Sequence, residues 1–212
     1  MGLCFNRSDG IPVISDWIKN AMKRSLEPQL DSALRKIIEV YASSFASKEY
    51  EEDNNEHDIL MDVFGLSPAL KRENRQYWGR ELGMCWQLVV TELCRASCAK
   101  FAPGLRFGDD EPCDFCVGKR AVDTKYRIGS GDAGTLKKFK SYGALLRSKG
   151  YTPVTLIVRT DNLPAAVTAL RAGKWEVYSG EACFQYIRDL AGHDLLKWLD
   201  GIEKEGRFKV RR

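Results

Sequence analysis

The chain has 212 residues, 44% of them apolar and 29% charged, a composition ordinary for a globular protein and long enough to bury its own core. No run approaches the ~18 consecutive apolar residues of a membrane-spanning helix, and the N-terminus lacks a basic segment followed by an apolar one, so no membrane partner and a cytoplasmic location are expected. Net charge is only +4, so its distribution matters more than its sum.

Residues 1–77 read as a helical N-terminal section, suited to dimerisation or support, ahead of a core over 78–212. Val13, Ile14, Trp17, Ile18 and Met22 fit one face of a short helix. After Pro28, the residues Leu30, Leu34, Ile37, Ile38, Tyr41 and Phe45 form the stripe of an amphipathic helix, either core or a dimer face. Residues 49–58 hold six carboxylates and no Lys or Arg, which reads as a solvated loop kept away from any polyanion. Ser67-Pro68 then provides an N-cap and a proline for the first helical position.

The longest helical pattern runs from about Arg72 to Lys100, with Trp78, Leu82, Cys85, Trp86, Val89 and Leu93 on its apolar side. Glu81 and Glu92 share a face of it, about 20° apart around the axis and about 16 Å apart along it. Leu105 to Phe107 is a short strand candidate.

Pro112 to Arg127 is the stretch that carries chemistry. Two runs of β-formers flank Gly118-Lys119, and glycine at the first central position suits a type II′ hairpin turn. With that turn Val117 faces Arg120, and counting back places Asp114 opposite Asp123. Alternation puts Asp123 and Lys125 on one face, so two carboxylates and an amine converge. Opposed like charges need a compensating cation, and Mg²⁺, which commonly takes one or two carboxylates plus water and phosphate, is the natural one. Lys125 is then placed to orient or deprotonate the attacking water, or to neutralise charge on a phosphate.

Seven cysteines are an odd number in a chain with no export signal, which points to reduced packing thiols. Cys94/Cys98 and Cys113/Cys116 invite a zinc reading, but Cys113 and Cys116, three apart on a strand, are expected to face opposite sides. The two histidines, His57 and His193, offer little to a histidine-metal nuclease or a Ser-His-Asp hydrolase.

From Lys119 to Lys149 nine Lys and Arg stand against Asp123 and Asp132, a local net of +7. On charge alone that strip is either a polyanion-facing surface or a solvated helix face, and its place beside the carboxylate-lysine hairpin favours the phosphate backbone. Gly129 to Thr135 is glycine-rich, yet Thr135-Leu136 stands where a nucleotide-binding loop needs Lys-Ser/Thr, which removes an NTPase reading. A basic helix follows over about 136–148, then a buried strand at 152–159, a helix at 164–172, a strand at 175–178 and helices at 181–190 and 194–202. This is α/β order, with a mixed central sheet flanked by helices. The tail from Lys204 carries five basic residues and one acidic.

Pro112-Cys113-Asp114 followed by Asp123-Thr124-Lys125 resembles the PD-(D/E)xK nuclease superfamily, to which type II restriction endonucleases belong. Cys113 interrupts the usual Pro-Asp pair, and the nine-position spacer is at the short end. The resemblance covers about Gly79 to Tyr178, and Asp123 to Asn162 looks like ApaLI-type restriction enzymes. It implies a restriction-endonuclease-like fold and Mg²⁺-dependent, sequence-specific hydrolysis of double-stranded DNA that leaves a 5′-phosphate. Asp114, Asp123 and the Thr124 carbonyl would hold the metal, Lys125 would manage the water, and Glu81, with Glu92 as runner-up, would join from the preceding helix. Arg127, Lys137, Lys138, Lys140 and Arg159 are the DNA-binding candidates, reading bases or phosphates. A homodimer is expected for a palindromic site, and a cognate DNA methyltransferase is a possible partner in the same system. The rival readings are a junction-resolving or repair nuclease on the same fold, and a non-catalytic DNA-binding protein.

Overall fold

A computed structural model of the chain describes residues 57–129, 131–206 and 208–209. The helices expected at 13–22 and 30–45 lie outside the described residues, as do most of the acidic stretch and the end of the basic tail. The elements are α1 (Ile59–Phe64), α2 (Pro68–Glu73), α3 (Arg75–Ser97), β1 (Phe101–Pro103), β2 (Phe115–Val117), β3 (Arg120–Lys125), α4 (Ala133–Ser148), β4 (Thr152–Ile157), α5 (Pro164–Ala172), β5 (Glu176–Ser179), α6 (Glu181–Ala191) and α7 (Leu195–Glu205). The strands form one sheet in the order β1-β2-β3-β4-β5. The first three are antiparallel and the last three parallel, so the sheet is mixed. Among the described residues no helix is long and apolar enough to cross a membrane.

The β2–β3 hairpin forms because its turn chemistry and its alternation agree. Gly118 has φ of 60° while Lys119 stays at negative φ, the pattern of a type II′ turn. The register pairs Val117 with Arg120, Cys116 with Ala121 and Phe115 with Val122. Asp114 lies one residue beyond β2, and its N–H donates to Val122 O at 2.8 Å, so the pairing continues to the level of Asp123.

The third antiparallel strand is Phe101–Pro103 and not the expected Leu105–Phe107, which contributes only an isolated bridge from Phe107 to Asp110. Phe101 wins because its ring stacks on buried Phe115 with centroids 5.7 Å apart. The chain then passes Gly104, where a Cβ would stand 2.4 Å from Cys113 O and 2.9 Å from Asp114 O. Only glycine admits that approach of two backbones.

Beyond the hairpin, β3-α4-β4 and β4-α5-β5 are two parallel crossover units, the connection that parallel strands require. Side-chain alternation along β3 splits the packing. Val122 and Tyr126 join the core with α1, α3, α6 and α7, around Trp86, Val90, Leu156 and Ile187. Ala121 faces the other way, into a core beneath α4 and α5 with Leu146, Ile157, Leu170 and Trp175. The long helix starts three residues later than expected, at a cap from Asn74, whose side chain accepts from Tyr77 N. Ser67 caps α2 by accepting from Leu70 N at 3.1 Å, with Pro68 at the first helical position.

Candidate active site

Asp123 and Lys125 share a face of β3 with Ala121, the side on which α4 and α5 pack. Lys125 Nζ donates to Asp123 Oδ1 at 2.6 Å and to the Thr124 carbonyl at 3.3 Å. Asp114 sits across the strands at a bend in the chain. Its Oδ2 accepts from Thr124 N at 2.7 Å and from Thr124 Oγ1 at 2.6 Å, while its Oδ1 accepts from Gln87 Nε2 at 2.8 Å. A carboxylate thus replaces the backbone carbonyl that would otherwise receive the Thr124 N–H. On the other flank, Thr155 of β4 is in register with Asp123 on the same face; it is fully buried, and its hydroxyl has no hydrogen-bond partner among the described residues.

Burial pushes the Asp123 carboxyl above its ordinary range and the Asp114 charge pushes it the same way, against the pull of Lys125. Burial works to lower Lys125, but the Asp123 and Asp114 charges outweigh it and hold the ammonium above its usual value. The site therefore carries two carboxylates against one ammonium, with Asp123 mostly buried and Lys125 partly exposed.

Among the described residues no group of three or more His, Cys, Asp or Glu is arranged to hold a metal. A hard divalent cation needs no such cluster, because one or two carboxylates with carbonyl and water oxygens suffice. The oxygens here fit it: Asp123, the Thr124 carbonyl, and the part of Asp114 not taken by its three donors. The Lys125 ammonium already bridges two of these oxygens, which marks them as a cation-binding pair. The buried, unpartnered Thr155 hydroxyl is a further polar group of the kind that a hydrated ion's water satisfies.

The residue of α3 that reaches Asp114 is Gln87, not Glu81 or Glu92. Glu81 is exposed and accepts from Arg80 Nε at 2.9 Å, and Glu92 is exposed and paired with Arg95 at 2.6 Å. At 100° per residue Gln87 stands about 120° around the helix from Glu81 and about 140° from Glu92, so neither glutamate shares its direction. Gln87 and Thr155 escape a search confined to carboxylates and lysines; the usable signal was their position relative to the buried face and the strand register.

The basic candidates divide. Lys137, Lys138 and Lys140 are exposed on the first half of α4, which begins at the end of the sheet where β3 finishes. Arg127 is half-exposed and tied to Asp161, 2.8 Å from Nε to Oδ2. Arg159 is buried instead of lying on the surface. It is 6% exposed, with Nη1 3.0 Å from Asp58 Oδ2 and Nε 2.7 Å from Asp161 Oδ1. Asp58, assigned to a solvated loop, caps α1 through Leu60 N and Met61 N and also receives the Tyr126 hydroxyl. Lys71 completes this network by donating to Tyr126 Oη at 2.6 Å; burial first, then the Arg159 charge, lowers it to about 8.

The two cysteine pairs belong to different cores on opposite faces of the sheet. Cys113 and Cys116 nevertheless face the same side, with sulfurs 4.0 Å apart, contrary to strict alternation. The bend at Asp114 is the reason, since Cys113 precedes β2 instead of lying on it.

Residues 110–204 match the ApaLI-like restriction endonuclease family. The matched segment runs from the residue before Glu111 into α7, less than half of the chain, and contains the hairpin, both crossover units and α6. Over these residues the chain is similar to type II restriction endonucleases, the nucleases that the hairpin resembles. No curated protein and no solved structure matches.

Proposed function

We propose, from the match to ApaLI-like restriction endonucleases, that the chain is a type II restriction endonuclease that hydrolyses double-stranded DNA at a specific sequence, with Mg²⁺ as cofactor. The observation that carries it is the convergence of Asp114, Asp123, Thr124 and Lys125 on one hairpin, inside the matched segment. Asp114, Asp123 and the Thr124 carbonyl would hold the ion. When bound, Mg²⁺ supplies positive charge that polarises the scissile phosphate and eases ionisation of water.

The remaining work falls to the chain's own side chains. Lys125 spends two N–H donors on Asp123 and Thr124, which fixes Nζ and leaves the third for the attacking water or a phosphate oxygen. Fixed donors of this kind stabilise charge that develops in the transition state. Gln87 and Thr124 hold the Asp114 carboxylate in place, and Lys137, Lys138 and Lys140 supply phosphate contacts near the end of β3. In-line attack of water, without a covalent intermediate, leaves a 5′-phosphate and a 3′-hydroxyl. A palindromic site calls for a two-fold homodimer, with residues 1–77 in a dimerisation or support role, residues 78–212 as the nuclease core and a cognate methyltransferase protecting the host.

Incubation of the full chain with plasmid DNA and Mg²⁺, beside EDTA and Lys125→Ala controls, tests this. Discrete fragments with 5′-phosphate ends are expected, with cleavage abolished by EDTA and reduced at least about 100-fold in the variant. DNA of varied sequence and methylation that is bound but stays intact would leave a DNA-binding protein. Scission confined to branched DNA would leave a junction-resolving nuclease.

A further inference from the structure

We propose that Cys113 and Cys116 are a redox-sensitive pair whose disulfide withdraws Asp114 from the catalytic site. This rests on the nuclease reading for its consequence but not for its chemistry. The two sulfurs are 4.0 Å apart, Cys113 also accepts the Leu105 N–H at 3.5 Å, and Asp114 stands between the two cysteines in the chain. A disulfide is about 2 Å long, so the sulfurs must approach each other by about 2 Å.

The two sides cannot share that movement equally. Cys116 is fixed within β2 by its pairing with Ala121 and Ala102, and its neighbour Phe115 is fully buried and stacked on Phe101. Cys113 lies outside the strand, in the irregular stretch after Glu111. The displacement therefore falls on Cys113 and Asp114. Gly104 lies hard against the carbonyls of those two residues, so the segment cannot shift towards β1 without breaking that contact. The Asp114 carboxylate then leaves the Thr124 N–H and hydroxyl, 2.7 and 2.6 Å away in the reduced form.

The oxidant is a peroxide. One thiol attacks the peroxide oxygen and becomes a sulfenic acid, with release of water. The second sulfur displaces a second water from it and forms the S–S bond. Two thiols are oxidised, one peroxide is reduced, and a dithiol reverses the reaction. Both thiols are buried, so peroxide enters when the three-residue strands at this edge of the sheet open locally.

The full-length protein is exposed to hydrogen peroxide, alkylated and digested with trypsin. Residues 107–119 form one peptide that contains both cysteines and no others, expected lighter by two hydrogens and unalkylated. Hydrogen exchange at the Thr124 amide is expected to accelerate at least tenfold on oxidation. DNA cleavage is expected to fall at least tenfold, to return with dithiothreitol, and to be insensitive to peroxide in Cys116→Ser. A peptide that stays reduced and alkylatable overturns the proposal, as does a disulfide that leaves exchange at Thr124 unchanged. If the reduced protein cleaves no DNA, the nuclease reading fails, while the peptide and exchange measurements still decide the thiol chemistry.

Discussion

At Asp114, three donors converge on one carboxylate, and the one from outside the hairpin is Gln87. Groups that orient a ligating carboxylate typically change metal affinity or activity by 10- to 100-fold when lost. Gln87→Leu is therefore expected to lower cleavage by that factor, mainly as a higher Mg²⁺ requirement. Gln87→Glu keeps the reach but exchanges a donor for an acceptor, so it is expected to be poor at low Mg²⁺ and to recover as the ion is raised. Rates measured across a Mg²⁺ series decide it, and a Leu variant with an unchanged Mg²⁺ response counts against the role. The hairpin carboxylates and Lys125 were legible because turn type, alternation and spacing all bear on adjacent residues. Gln87 was not, because its importance comes from a contact 27 residues away and its residue type carries no charge to attract notice.

Elements show the same division between local and distant causes. Among the described residues, the helices from α2 onward and the parallel strands were readable from periodicity and caps, and the limits given moved by a few residues at most, whereas α1 had no reading of its own. The edge strand was misplaced because ring stacking between Phe101 and Phe115, a tertiary contact, outweighed local β-propensity at Leu105–Phe107. The closeness of α4 to α5 was equally hidden. A Cβ on Gly143 would stand 2.0 Å from Gly173 O and 2.7 Å from Trp175 Nε1, and that indole donates to Phe139 O at 2.7 Å. Backbone cannot yield as a side-chain tip can, so Gly143→Ala must push the helices apart despite alanine's better helix propensity. A loss of about 1–3 kcal/mol is expected, read as a lower urea midpoint with an unchanged m-value. A stability equal to or above that of the unsubstituted chain would contradict the close crossing.

For the molecule as a whole, the least local feature is the clamp around Arg159, which joins the end of β4 to the cap of α1 across 101 residues. Sequence reading placed Arg159 with DNA and Asp58 in solvent, since neither residue type nor spacing reveals a partner so far away. Removing one member of a buried ion pair strands the others and costs about 3–5 kcal/mol, whereas replacing the whole group by apolar or neutral residues can be nearly neutral. Arg159→Met is expected to lose that much by urea denaturation, and adding Asp58→Asn and Asp161→Asn is expected to recover a good part of it. The pH dependence has a definite sign. Burial works to raise Asp161, but Arg159 and Arg127 outweigh it and hold its carboxyl below the ordinary value. Its contribution is thus complete above the unfolded value of about 3.9 and is lost as pH falls through the lower folded value. The unsubstituted chain should weaken across that acid window, and Arg159→Met should show a flatter acid limb because the pairing is already gone. Were Arg159 instead a phosphate contact, the variant would keep full stability and its DNA affinity would lose about one unit of salt slope. Urea midpoints across pH and binding measured across salt therefore separate a clamp from a DNA contact.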